Sequence, residues 1–255
     1  MFAHDLGCKP SIESLEIERG LVELKLGPSI PDDPERLNLI PDEHVPARPI
    51  PDAVFRYAEG WRNGNSRSHA IDDLLRRNRP RIRKLGNGPL ISEGEDLVPA
   101  VVVLIECMDE TVLCIQGPPG KTYTCAQAIL KLLQQGRRIA VTANSHKAIL
   151  NILRAVHEAI QAAGEEYVLL KVGGENDDPL FGSGAIQHVQ HSGAAADELA
   201  DGPCVMGGTA WVFSRSDLDQ EFDYLFVDEA GQFSLANTVA VAQSAANLVL
   251  VGDQM

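Results

Sequence analysis

Apolar and polar residues alternate through SLEIERGLVELKL (residues 14–26), with Arg19-Gly20 at the centre of the run. A period of two on both sides of a glycine predicts a β-hairpin with one wet face. A proline-rich connector follows (Pro28, Pro31, Pro34, Pro41, Pro46, Pro49, Pro51), then AIDDLLRRN, whose spacing predicts a helix. Gly86, Gly88 and Pro89 mark a boundary. Residues 1–90 therefore read as an accessory region of hairpin, connector and helix. No repeat or low-complexity tract appears.

From about residue 91 the pattern changes to short β-branched runs separated by longer helical segments, which predicts a parallel sheet with crossover helices over 91–255. TVLCI (111–115) reads as a buried strand. The stretch from Thr122 to Gln135 reads as a helix burying Ala126, Ile129, Leu130 and Leu133, and Gly136 ends it. RIAVTAN is a second strand, and SHKAILNILRAVHEAIQAAG a helix with Ile149, Ile152, Leu153, Val156 and Ile160 inward. EYVLLKV is a third strand. After a loose segment rich in Gly, Asp and His come PCVMGGTAWVF, the strand YLFVDEA, the helix SLANTVAVAQSA and the strand NLVLVGD. The expected fold is α/β, a RecA-like parallel sheet.

Composition fits a soluble globular chain, with 44% hydrophobic and 23% charged residues in 255. The apolar run Val98 to Ile105 is broken by Glu106, Asp109 and Glu110, too short for a membrane span. The N-terminal MFAHDLGCKP lacks a basic stretch followed by a long apolar one, so a cytoplasmic location is expected. The five cysteines form no CxxC pair and no Cys/His ligand spacing, and read as reduced and structural. A formal charge of −14 argues against generic polyanion binding, so any nucleic-acid site must be local. The densest basic run, Arg76 to Lys84, reads as a solvated helix end broken by Pro80, with phosphate contact as the alternative.

Between a strand and a helix stands IQGPPGKTYT (115–124), the context a phosphate-binding loop requires, because amides at a helix N-terminus receive anions. Lys121 would meet the β- and γ-phosphates of a nucleotide, and Thr122 would place its hydroxyl on Mg²⁺. A downstream strand ending in acids should complete such a site, and YLFVDEAGQ supplies them. Asp228 would hold the metal and Glu229 would polarise an attacking water.

With these motifs in view, residues 91–255 resemble the superfamily 1 helicases, in particular the group with DEAxQ as second motif and a QGPPGTGKT phosphate loop. The segments that match are IQGPPGKTYT, VTANSHKAI, DEAGQ and LVGDQM, in family order. The resemblance implies ATP and Mg²⁺ as cofactors and single-stranded DNA or RNA as partner. Hydrolysis would be coupled to translocation on, or unwinding of, the nucleic acid. It implies that Gly117, Pro118, Pro119, Gly120, Lys121 and Thr122 cradle the phosphates and that Asp253 belongs to a sensor at a strand end. Gln232 would couple the γ-phosphate to the nucleic acid. Thr142, Asn144, Ser145, His146 and Lys147 match a segment that contacts the strand backbone, although Asn144 or Ser145 equally suits the cap of the next helix. Thr209 and Trp211 of GGTAW sit where such enzymes touch the strand again, Trp211 being equally suited to the core.

Three departures from the family pattern stand out. Gly117-Pro118-Pro119-Gly120 runs straight into Lys121-Thr122, two residues short of the family loop. That removes up to about 7 Å of path, so a damaged phosphate cradle is expected. No glutamine precedes Gln116, which leaves base selectivity without its usual reader. The sequence stops at Met255 inside the last motif, so the expectation is a chain lacking a second RecA-like domain and its arginine finger. Two other functions remain open: a catalytically inactive nucleic-acid-binding remnant, and a metal-dependent nuclease suggested by Glu23-Leu24-Lys25 on the early hairpin, where alternating Glu and Lys equally forms a wet face.

Overall fold

The computed structural model describes residues 11–16, 21–25, 48–65, 68–83, 91, 96–117, 120–199 and 201–253. The chain divides into two compact units, 1–47 and 48–255. In the first, β1 (Ser11–Glu16) and β2 (Leu21–Lys25) pair antiparallel, with Glu16 opposite Leu21 and a register shift between Ile12 and Ser14. The hairpin expected from the period of two is present. Glu23 and Lys25 both fall on β2, opposite Ser14 and Ser11. The connector from Pro28 to Pro46 lies outside the described residues.

The second unit is built on a sheet of seven strands, all parallel: β3 (Val112–Gln116), β4 (Arg138–Thr142), β5 (Val168–Val172), β6 (Gln187–Val189), β7 (Cys204–Gly207), β8 (Phe222–Val227) and β9 (Ala245–Gly252). Their spatial order is β3-β9-β8-β4-β7-β5-β6. The helices are α1 (Pro49–Arg62), α2 (His69–Arg76), α3 (Leu97–Glu106), α4 (Lys121–Gln134), α5 (His146–Ala163), α6 (Pro179–Gly182), α7 (Ala210–Phe213) and α8 (Leu235–Ala242). The expected α/β class with a parallel sheet holds, and so do the strands and helices read between Thr111 and Asp253.

Period-two burial on each strand separates two cores. Ile139, Val141, Phe226 and Val249 face α3, α4 and α5, where they meet Leu104, Ile129, Leu133, Ile149 and Leu153. Ala140, Leu225, Val227 and Leu248 face the other way, toward Ile71 of α2, Phe213 of α7 and Val239 and Val241 of α8. The handedness of parallel crossovers accounts for this split. The connections β3-α4-β4 and β4-α5-β5 step across the sheet in one direction and use one face. The connections β7-α7-β8 and β8-α8-β9 step back and use the opposite face. One consequence is that the C-terminal ends of β3, β9 and β8 stand side by side.

Several elements depart from the pattern seen in the sequence. The apolar run at Val98–Ile105 is a helix, α3, although it is rich in valine. Asp96 caps it by accepting from the Val98 amide at 3.3 Å, and Ala100, Val101, Leu104 and Ile105 form a buried stripe at helical spacing. Helix α1 starts inside what read as connector. Pro49 and Pro51 fall in its first turn, where a missing N–H leaves no intrahelical bond unmade. The loose segment contains the edge strand β6, paired to β5, and the single turn α6 capped by Asp178.

Helices α1 and α2 belong to the second compact unit, whereas the sequence boundary near residue 90 had grouped them with the hairpin. Arg56 of α1 makes two bonds to Asp219, at 3.0 and 3.1 Å. Asp73 of α2 is 2% exposed and accepts from Thr111 Oγ1 at 2.7 Å, Arg81 Nη1 at 2.9 Å and Asn78 Nδ2 at 3.0 Å. With its oxygens bonded to donors on either side, this buried carboxylate fastens α2 to the start of β3.

Candidate functional site

The strand order brings the ends of β3, β9 and β8 together, and each delivers chemistry. After β3 the chain passes Gly117 and reaches Gly120, which caps α4 with φ +115, a conformation suited to glycine. The helical bond from Thr124 N to Gly120 O (3.0 Å) opens the ladder, so the amides of Lys121, Thr122 and Tyr123 have no partner within the helix. Lys121 Nζ folds back to donate to Gly117 O at 2.8 Å and forms an ion pair with the Asp253 carboxylate just beyond β9. Thr122 is exposed in the first turn. Pro118 and Pro119 lie outside the described residues.

Asp228 follows β8, half-buried, with its amide donating to Thr142 O at 2.9 Å. Desolvation pushes its carboxyl above the usual range, the backbone N–H of Glu229 and the ammonium of Lys121 pull it down, and Asp253 pushes it up again. Lys121, Asp228 and Asp253 are thus one electrostatic cluster. Beneath it Cys125 is buried, its thiol pushed up to about 12 by desolvation and then by Asp228, so it is a packing residue with little thiolate character. Glu229 is exposed and takes a left-handed backbone conformation at φ 52, unusual for a non-glycine residue and typical of functional turns. A short 3₁₀ turn, Ala230–Gln232, follows it, with Gln232 N donating to Glu229 O at 2.8 Å and the Gln232 side chain in solvent.

One ammonium, two carboxylates and the first-turn amides of a helix N-terminus are the groups a nucleoside triphosphate with a divalent cation needs. Their position at the carboxyl ends of parallel strands is where open α/β sheets bind ligands. Among the described residues no three His, Cys, Asp or Glu side chains converge as a metal cage. A Mg²⁺ held by one or two carboxylates and by substrate phosphates requires none. Prolines at 118 and 119 donate no N–H, so the loop offers amides only from Gly117 and from Gly120 onward.

The residues expected to touch a nucleic-acid strand do not share one environment. Thr142 is fully buried at the end of β4, its hydroxyl without a hydrogen-bond partner, so in this conformation it is closed to any strand. Asn144, Ser145, His146 and Lys147 are exposed. Ser145 is the cap of α5, its Oγ accepting from Ala148 N at 3.1 Å. Thr209 is half-buried at the start of α7, and Trp211 is half-buried on it. The basic run read at Arg76–Lys84 ends α2 at a left-handed Arg77, and Arg81 and Arg83 are engaged with Asp73 and Asp109.

One group went unrecognised in the sequence. Lys171, inside the apolar strand LLKV, is 2% exposed, and its Nζ donates to Val172 O and Gly173 O, both at 2.9 Å. It also meets His146 Nδ1 at 2.8 Å. A charged Lys171 can only donate, so His146 accepts through Nδ1 and carries its proton on Nε2. Desolvation, then Lys171, then His188 hold His146 below the usual histidine value. Gly174, at φ +83, leaves room for that ring: a Cβ there would stand 3.0 Å from His146 Cγ and Nδ1. The only signal in the sequence was a lysine flanked by apolar residues in a predicted strand.

No family model matches the chain. Over 149 residues, 54% of the chain, it is 30% identical to the DNA replication ATP-dependent helicase/nuclease dna2 of Schizosaccharomyces pombe. That stretch is 10% of the yeast protein, so the chain spans about a tenth of the length of this relative. Among solved structures it is similar to the UvsW helicase from bacteriophage T4, with a TM-score of 0.36 and 12% identity over 71% of this chain and 58% of that one. That likeness is too loose to align individual site residues. Among the described residues no helix is long and apolar enough to cross a membrane.

Proposed function

We propose that the α/β unit is a helicase-type ATPase module, in which ATP hydrolysis is coupled to movement along, or separation of, nucleic-acid strands, and that its short phosphate loop impairs it. The observation that carries this is the meeting of Lys121, Asp228 and Asp253 at adjacent strand ends, at the N-terminus of α4. Sequence likeness to a helicase over more than half of the chain supports it.

In this reading Gly117, Pro118, Pro119, Gly120 and Lys121 receive the phosphates, and Thr122 with Asp228 holds Mg²⁺. Bound Mg-ATP supplies the phosphoanhydride bond whose cleavage drives the cycle. Lys121 must leave Asp253 to reach a phosphate, which costs little because Asp253 is 79% exposed and such pairs are worth about 1 kcal/mol or less. Glu229, exposed beside Asp228, takes the proton of the attacking water on a carboxylate oxygen. Gln232 links the γ-phosphate position to the strand. Asn144, Ser145, His146, Lys147 and Thr209 contact single-stranded DNA or RNA, and Thr142 joins them only if the end of β4 opens. Binding without hydrolysis is the second reading, favoured by the two-residue shortfall of the loop.

Calorimetric titration with Mg-ATP tests the site. The unmodified chain should bind weakly, Lys121→Ala should bind undetectably, and a Thr-Gly insertion after Gly120 should strengthen binding at least about tenfold through its two added N–H donors. Micromolar binding by the unmodified chain, lost in Lys121→Ala, would keep the site and overturn the impairment. Affinity unchanged by either alteration would overturn the site itself.

A further inference from the structure

A second polar cluster lies on the other half of the sheet, where β5 ends beside β6 and α5 begins. At its centre the ammonium of Lys171 spends all three of its hydrogens: two on Val172 O and Gly173 O at 2.9 Å, the third on His146 Nδ1 at 2.8 Å. Three acceptors around one amine hold it in the charged form, because a neutral amine would turn its lone pair toward one of them. With no hydrogen to spare, this 2%-exposed lysine cannot itself touch a ligand. His146 can. It is exposed in the first turn of α5, and its Nδ1 is occupied, so its proton sits on Nε2. A side chain at Gly174 would press on Cγ and Nδ1 at 3.0 Å, and Nε2 lies across the ring from that bond.

We propose that Lys171 is a positioning residue for nucleic-acid binding: it holds His146 with its proton on Nε2 and passes its buried positive charge through the ring to a phosphodiester oxygen of the strand. This rests on the preceding assignment of His146 to a single strand. A neutral imidazole is an ordinary donor, but an ammonium bonded to its Nδ1 polarises the ring and brings Nε2–H close to a charge-assisted bond, worth about tenfold in affinity. His146 does not become the cation itself. Desolvation, then Lys171 of β5 and then His188 of β6 oppose its protonation. Lys147 is its cationic neighbour on α5, Glu175 and Asp177 are exposed beyond the glycine turn, and Asp178 is paired with Arg154 at 2.8 Å. Desolvation brings Lys171 down from 10.5 to about 8, so its help is fully present below pH 8. A tenfold preference of the strand for charged Lys171 raises that value by about one unit on binding, and affinity then falls as pH rises from about 8 to 9. An imidazolium donor would lose affinity already between about pH 6 and 7.

The test is fluorescence anisotropy of the full chain with labelled oligothymidylate from pH 6.5 to 9.5 at constant salt. Affinity should stay level to pH 8 and then drop about tenfold. Lys171→Met should bind about tenfold more weakly at pH 7 and show no such drop, and adding it to His146→Ala should cost nothing further. Two-bond ¹H–¹⁵N correlation should show the Nε2–H tautomer of His146 in the unmodified chain and a mixture in Lys171→Met. The profile and spectrum of the unmodified chain decide the matter even if Lys171→Met does not fold. Affinity lost between about pH 6 and 7, a proton on Nδ1, or His146-dependent binding unaltered in Lys171→Met would overturn the proposal. Binding indifferent to both His146→Ala and Lys147→Ala, with the Nε2–H tautomer intact, would instead remove the strand from the start of α5, and the proposed role of Lys171 with it.

Discussion

Replacing Lys171 by methionine should change how stability depends on pH, and the size of the change follows from its surroundings. The ammonium is buried among β5, the glycine turn after it and the start of α5, with His146 and His188 as the neighbouring titratable groups. Desolvation lowers its pKa from 10.5 to about 8. In the unfolded chain the group keeps its ordinary value, so below pH 8 both states are protonated and the folded state bears the full cost of a buried charge. A depression of that size corresponds to about 3 kcal/mol. Between pH 8 and 10.5 the unfolded state holds more protons than the folded state, so stability rises with pH as that cost is relieved.

Methionine keeps the length and the packing of the stem but does not titrate. At neutral pH it removes the charge cost while leaving the carbonyls of Val172 and Gly173 and the Nδ1 of His146 without their donor. These changes oppose each other at about 1–3 kcal/mol per orphaned group, so a melt at a single pH decides nothing. The informative quantity is the difference between the two proteins across pH. Urea unfolding followed by tryptophan fluorescence from pH 7.5 to 10.5 should show the unmodified chain gaining about 3 kcal/mol on Lys171→Met. Staying above pH 7.5 keeps His146, held low by burial and Lys171, out of the comparison. Two profiles parallel to within about 0.5 kcal/mol would refute the assignment of a buried, depressed lysine at this position.

Removing the Asp73 carboxylate as Asp73→Ala should destabilise the unit by about 2 kcal/mol or more, because Thr111 loses its acceptor in the core and Arg81 its partner. Chemical denaturation measures it, and an unchanged midpoint would mean that α2 is not fastened to β3 in solution. Lys147→Ala should weaken binding of a single-stranded oligonucleotide equally for all sequences and reduce the slope of log affinity against log salt by about one. Fluorescence anisotropy across a salt series reads this, and an unaltered slope would place the strand away from the start of α5.

The strands that carry the candidate site were legible because each is a short β-branched run leading to residues of evident chemistry: TVLCI before the GPPGKT loop, YLFV before Asp228, NLVLV before Asp253. What failed to show was decided by long-range packing. Valine-rich α3 becomes a helix because Asp96 caps it and a helical stripe finds α4. Helix α1 was hidden by prolines that act as breakers inside a helix and as starters in its first turn. The three residues of β6, Gln187, His188 and Val189, are too few to show a pattern of their own and gain strand geometry from pairing with β5. Thr142 illustrates the limit at residue level: its place in a motif says nothing about burial, and the parallel pairing of β4 with β8 and β7 encloses it.

The electrostatics of the strand ends also bear on what enters the site. Asp228 and Asp253 together outweigh Lys121, and burial already strains the charge on Asp228. A bare polyphosphate would meet net negative charge with a lysine engaged by a carboxylate and a carbonyl. Arriving with a divalent cation, it would set a positive charge against Asp228 and free Lys121 by offering Asp253 a competitor. On the proposed assignment the cluster favours a magnesium-bound nucleotide over a free anion, and a chain of net charge −14 reinforces that choice at a distance. Such selectivity would lie in strand ends that the sheet order places side by side, independent of the length of the loop in front of Lys121.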